Sequence, residues 1–136
     1  MEQVLDGDLV DTAFTTRQLA DLEKTLLNAE RSTGAYFSTY VGKLVDGRNS
    51  AIAIHRQLAN PPRSALIAVD PQQRVVEVVT GAHLREALDD PACRLACLTM
   101  TSRFAIGDIA AGLRDGVVTL ADHAREIPSL HTSQPE

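Results

Sequence analysis

Three aspartates, Asp89, Asp90 and Asp108, are the side chains of this sequence with the most chemistry open to them. Carboxylates gathered at one point can hold a divalent cation that orients and activates water, which is one way to hydrolyse a phosphate ester. The same residue type has a structural use. An aspartate just before a helix accepts the unpaired backbone N–H groups of the first turn. All three stand where a helix is about to begin, so capping weighs more heavily than catalysis. No stretch resembles a twelve-residue calcium loop. Nucleophile-elbow, Walker-type and dinucleotide glycine patterns are absent.

Cys93 and Cys97 lie four apart, which on a helix puts them on one face with Cα atoms about 6 Å from each other. They read as two reduced thiols, small and buried, rather than metal ligands. A zinc site takes about four ligands, and His83 precedes the pair by a loop without ligand spacing. No metal and no cofactor is expected. His55 sits one position round from the apolar face of its helix, with no acid or nucleophile beside it, and reads as structural.

The elements that must position these residues follow from periodicity. Thr15 or Thr16 can cap a helix whose Leu19, Leu22 and Leu26 recur at three and four, ending near Ser32 because Gly34 supplies a left-handed residue. Residues 35–41, "AYFSTYV", are aromatic and β-branched and read as a strand. A loop with Asp46-Gly47 as its turn follows, then a helix capped by Asn49 or Ser50 that Asn60-Pro61-Pro62 stops. Residues 64–69 and 74–80 form an antiparallel hairpin reversed at Asp70-Pro71. The first of these strands is apolar on both faces, as a central strand covered by helices would be. In the second, Glu77 interrupts an apolar face, which places it at a sheet edge or under a helix end. A helical turn leads from residue 83 to Asp89-Asp90, with Asp90 as the predicted cap of a helix over residues 92–100 or slightly beyond. Asp108 then caps a last helix towards Ala124, in which Gly112 and Gly116 suit close approach to the sheet. The fold class is therefore α/β: a small mixed sheet containing a β-hairpin, packed by helices on both faces. Residues 1–13, where Val4, Leu5, Leu9 and Val10 could give an edge strand, are expected to be an N-terminal arm. Residues 14–124 form the single domain and residues 125–136 a flexible tail.

At 136 residues the chain suits one core. A net charge of -5 with 44% hydrophobic residues fits a globular protein and argues against nucleic acid as a partner. The acidic start "MEQVLDGDLVDT" is unlike a secretory signal. No run approaches the roughly 20 apolar residues of a membrane span. A cytoplasmic location is the expectation.

"ALIAVDPQQRVVEVVTGAHLREALDD" followed by "FAIGDIAAGLRDGV" resembles the core of the TPM domain family, over residues 14–124. The likeness is strongest to short actinobacterial members of unknown function. It implies an apolar strand, a hairpin ending in a Thr-Gly pair, a helix closing on an acidic residue, and a later Gly-Asp helix start. Gly81 and Gly107 match the paired glycines. Asp89 or Asp90 matches the acidic residue, and Asp108 the Gly-Asp aspartate. The family's Asp-Asn-Gly before the central strand is replaced here by Pro62-Arg63-Ser64. That change removes one carboxylate, and Arg63 would attract an anion instead of a cation. Some family members are described as acid phosphatases or as binding divalent cations.

The leading expectation is a non-catalytic module that binds a small ligand or a protein at a crevice shared by the Gly81 loop, Asp89-Asp90 and the Gly107-Asp108 helix start, with Arg63 beside it. Helix starts and strand ends expose backbone donors there. The alternative is a weak acid phosphatase or a divalent-cation-binding domain, so no residue is assigned a catalytic role. A third reading is a homodimer or heteromeric subunit paired through the arm or the hairpin edge.

Overall fold

The computed structural model describes the backbone of residues 2–5 and the whole of residues 14–125. Residues 126–136 of the expected tail, and residues 1 and 6–13 of the expected arm, lie outside the described residues, whereas Arg125 belongs to the last helix instead of the tail. The chain forms strand β1 (Glu2–Leu5), helix α1 (Thr16–Thr33), β2 (Tyr36–Val41), α2 (Gly47–Arg56), β3 (Ser64–Asp70), β4 (Val75–Thr80), α3 (Asp90–Phe104) and α4 (Ile109–Arg125). Single 3-10 turns at Pro61–Arg63 and Ala82–Leu84 flank the β3–β4 hairpin.

Among the described residues the sheet has four strands in chain order. β1, β2 and β3 run parallel and β4 returns antiparallel to β3. The fold is thus α/β with a mixed sheet, and β3 is an interior strand buried at every position. Its alternation divides the core. Ala65, Ile67 and Val69 face a large cluster with Phe37, Val41 and Val78, covered by Leu22 and Leu26 of α1, Met100 of α3 and Leu113 and Leu120 of α4. Leu66 and Ala68 face a smaller cluster with Val79, Leu44, Leu58 and Ala51 of α2. Period-two alternation of side chains makes one strand serve both layers.

α1 is bounded by local chemistry. Thr15 and Gln18 form a reciprocal capping box, with each side chain accepting from the other's backbone N–H at 3.0 and 2.8 Å. Gly34 ends the helix with φ of 79°, its N–H donating to Glu30 O. Asp70, at the carboxyl end of β3, is buried and accepts from the Leu44 N–H (2.9 Å) and from the Gln73 side-chain amide (2.8 Å). It therefore ties the β2–α2 loop to the hairpin turn and fixes where α2 begins.

Three expectations are corrected here. α2 starts at Gly47, ahead of Asn49 and Ser50, because Asp46 takes the cap position and its backbone N–H donates to Ser50 Oγ. Asp89, not Asp90, caps α3, accepting from the Ala92 N–H at 3.1 Å, which leaves Pro91 in the first turn where its missing N–H costs nothing. Gly112 and Gly116 approach a helix rather than the sheet: a Cβ on Gly112 would meet the Phe104 ring at 2.3 Å and one on Gly116 the Met100 sulfur at 2.5 Å. These two glycines let α3 and α4 pack closely.

Candidate functional site

A cleft of about 720 Å³ lies between α2 and the connection from β4 to α3. Its first wall is a stripe of α2. Arg48, Ile52 and Arg56 recur every fourth residue, and helical spacing puts them on one face with the two arginines about 12 Å apart along the axis. The second wall runs from Gly81 and Ala82 through Arg85 and Leu88 to Asp89 and Asp90. Val79 and Thr80 of β4 form the floor, and Pro61 and Pro62 close one end.

Gly81 is central for a reason the hairpin pattern does not announce. Its φ of -70° is open to any residue, but a Cβ there would fall 2.0 Å from Pro61 O and 2.4 Å from Pro62 O. Only a glycine lets the exit of β4 pass beneath the 3-10 turn that leads into β3. The Gly81 N–H donates to Ser64 O at 2.9 Å. His55 Nε2–H donates to the same carbonyl at 2.9 Å from the other side. The buried His55 ring thus anchors the end of α2 to the sheet under the cleft, the structural role its surroundings predict.

The charges divide unequally. Arg48 reaches over the sheet edge, donating to Glu77 Oε1 at 3.1 Å and to the Val78 carbonyl at 3.2 Å. This also places Glu77, which stands on the edge strand and under the first turn of α2 at once. Arg56 and Arg85 are exposed and have no ion-pair partner among the described residues. Asp89 is committed to its capping bond, and Asp90 is exposed in the first turn of α3. Cys93 lies close by, but burial, with Cys97 and Asp90 adding to it, lifts its thiol from 9.0 to about 11. Burial, then Glu77, raises Cys97 as well. Both are free thiols with little thiolate at neutral pH. Among the described residues no group of three or more metal-ligating side chains comes together.

The expected crevice is therefore only half assembled. Gly81, Asp89 and Asp90 share the cleft. Gly107 and Asp108 do not, because they follow the far end of α3, a helix of 15 residues and so about 22 Å long. Gly107, with φ of 84°, closes α3: its N–H donates to Phe104 O and that of Asp108 to Arg103 O. Asp108 then caps α4, accepting from the Ala111 N–H at 3.1 Å. Arg63 is also elsewhere, its Nη2 donating to Gly34 O at 2.9 Å and tying the end of α1 to the turn before β3. The three arginines of the cleft escaped the sequence reading. The four-residue spacing of Arg48, Ile52 and Arg56, a charged stripe on the helix covering an apolar strand, is the signal that would have found two of them.

Comparison with known proteins places the chain among proteins of unknown role. Two proteins of Mycobacterium tuberculosis, both described as uncharacterised (MT2543 of strain CDC 1551 / Oshkosh and Rv2468c of strain H37Rv), are 29% identical over 119 residues, covering 85% of this chain and 70% of theirs. The NMR structure of the BA42 protein from the psychrophilic bacterium Bizionia argentinensis superposes with a TM-score of 0.75 at 14% identity, over 90% of this chain and 91% of that one. The N-terminal domain of a protein from P. gingivalis gives 0.70 at 18% identity, over 98% and 87%. At these identities the two structures share the fold. Residues 3–121 match the family model described as a domain of unknown function, and the chain belongs to that family, DUF5130.

Proposed function

We propose that the domain is a non-catalytic binding module that takes a small anionic ligand in the cleft between α2 and the β4–α3 connection. The observation that carries this reading is the set of three arginines on facing walls of one cleft, in a chain whose net charge is -5. A guanidinium presents several N–H donors in a planar fork matched to carboxylate or phosphate, and exposed arginines without partners have that fork free. Three of the groups at or beside the cleft that could do chemistry are committed elsewhere, and Asp90 alone of the two cleft aspartates is not. His55 Nε2 is spent on Ser64 O, Asp89 on the helix cap, and the Cys93 thiol holds its proton. The TPM resemblance belongs to this reading, supported by the order of strand, hairpin and capped helices. The loss of a carboxylate at Pro62-Arg63-Ser64 fits a member that binds without turnover.

Titration of the 15N-labelled protein with inorganic pyrophosphate tests it. Saturable shifts are expected at Thr80–Ala82 and along α2. The Arg56→Ala/Arg85→Ala double variant, altered only at exposed positions, is expected to weaken binding about ten-fold or more, since a charge-assisted bond is worth about 1.5–3 kcal/mol. No saturable shift, or an affinity the double variant leaves unchanged, sinks the proposal. Hydrolysis of a generic phosphate ester that needs magnesium or calcium and disappears in Asp90→Ala would install the phosphatase alternative instead.

A further inference from the structure

A second pocket, of about 410 Å³, lies at the opposite end of the sheet, beside the carboxyl end of β3. Small-molecule pockets run from about 300 to 1,000 Å³, so this one suits a short ligand. Its walls are apolar: Val69, Val75 and Val76 from the hairpin, Phe104 at the end of α3 and Ile109 at the start of α4. The polar groups along it are already used. Asp70 accepts from Leu44 and Gln73, and Thr101 Oγ1 donates to Leu98 O. Arg74, on the rim, is the exception. Its guanidinium makes no hydrogen bond or ion pair among the described residues.

The backbone of Arg74 is the second observation. It has φ of 57°, and it is the only non-glycine described residue in the left-handed region. Glycine or asparagine fills such a turn position without strain. Here a long cation occupies it, and the fold makes no use of the cation. Strain kept at one position where the side chain has no internal partner points to an external one. The carboxyl ends of parallel strands are also where open α/β sheets present ligands.

We propose that this pocket binds a small amphiphilic monoanion, with a single anionic head held by Arg74 and a short apolar body lying against Val69, Val76 and Phe104. Charge complementarity selects the head, since Arg74 is the unpartnered charge at the mouth. The apolar walls select the body. Neither requirement involves the arginine cleft, so the two sites stand or fall separately.

Three probes separate the requirements in a 15N titration of the whole chain: octanoate, octan-1-ol with the body but no charge, and acetate with the charge but no body. Octanoate is expected to give saturable shifts at Val69–Val76 and Thr101–Ile109, with both other probes binding about ten-fold or more weakly. Arg74→Gly is expected to melt at a higher temperature than the parent, because it removes the strain, and yet to lose about ten-fold in octanoate affinity. That opposition of signs excludes misfolding as the cause. The proposal is overturned if octanoate shifts nothing there, if octan-1-ol binds as tightly, or if Arg74→Gly keeps the parent affinity. Shifts of these residues on dilution without any probe would assign the pocket to a second copy of the chain, and overturn it too.

Discussion

Gly81→Ala isolates the contact on which the cleft is built. The substitution should be mild by conformation, because φ of -70° and ψ of 164° suit alanine, and replacing glycine ordinarily stabilises by about 0.4–1 kcal/mol through the unfolded chain. Space decides otherwise. The new methyl would lie 2.0 Å from Pro61 O, 2.4 Å from Pro62 O and 2.5 Å from Pro62 C, all of them backbone atoms. Two successive prolines hold that segment stiff, so relief requires moving the 3-10 turn away from the end of β4. Overpacking costs about 1–3 kcal/mol, and a clash with backbone belongs at the upper end, leaving a net loss of about 2 kcal/mol or more. At about 2.1 cal/mol/K of unfolding entropy per residue, that lowers the midpoint of a chain this long by about 7 °C. Gly47→Ala is the control: with open space around the new methyl and φ of 49° it tests backbone strain alone, expected to cost about 1–2 kcal/mol. Calorimetry of both variants, with amide shifts at Arg63 and Ser64 to report movement of the turn, gives the readout. A Gly81→Ala protein melting within about 2 °C of the parent, with those shifts unmoved, would refute the close approach and with it the closed end of the cleft.

Four other outcomes follow from individual residues. Asp70→Ala should cost about 3 kcal/mol in urea unfolding, because it removes bonds to an ionised acceptor and strands the buried Leu44 N–H; Asp70→Asn should fall between. Asp89→Ala and Asp108→Ala should each cost about 1 kcal/mol, with additive effects because the two caps sit at separate helices; strong non-additivity would contradict their separation. Thr39→Val should stabilise by about 1 kcal/mol, since the fully buried Thr39 hydroxyl has no hydrogen-bond partner among the described residues. Cys93 should react slowly with a disulfide reagent until urea exposes it. Its neutral thiol is favoured by the fold, so its contribution to stability is complete below pH 9 and is lost as pH rises towards about 11; stability that climbs through that interval would reverse the sign.

The parts of the fold legible in the sequence are those with local causes. Thr15, Gln18 and Gly34 mark both ends of α1 whatever packs against it, and Asp70-Pro71 marks the hairpin because the turn needs those residue types. The site was less legible. Asp89, Asp90 and Asp108 look near one another in the chain, and a helix expected to end soon after Met100 keeps their ends close. The helix continues to Phe104 and holds the first two aspartates and the third at opposite ends. α3 also hides its orientation, because Leu95 and Leu98 are exposed while the small Ala92 and Ala96 are buried. With leucines outward and alanines inward, periodicity cannot say which face meets the core. The partner of Gly112 and Gly116 was invisible for a similar reason, since a small residue records only that something comes close.

The position of the arginine cleft follows from how unevenly the sheet is covered. α1, α3 and α4 pack on one face, whereas α2 is the helix on the other. Four strands about 4.8 Å apart are some 14 Å across from first axis to last, and one helix is about 10–12 Å wide with its side chains. That helix sits over the hairpin, packing against β4 as well as β3. The outer rim of β4 under its first turn stays partly exposed, and Glu77 lies there. An uncovered apolar strand at that edge would invite another chain to pair with it. Arg48 instead crosses the edge to hold Glu77 and the Val78 carbonyl. The glutamate that interrupts the valines of β4 is therefore the mark, already present in the sequence, of the rim that the first turn of α2 reaches across. Arg48 leads from that rim into the cleft whose walls it shares with Arg56 and Arg85.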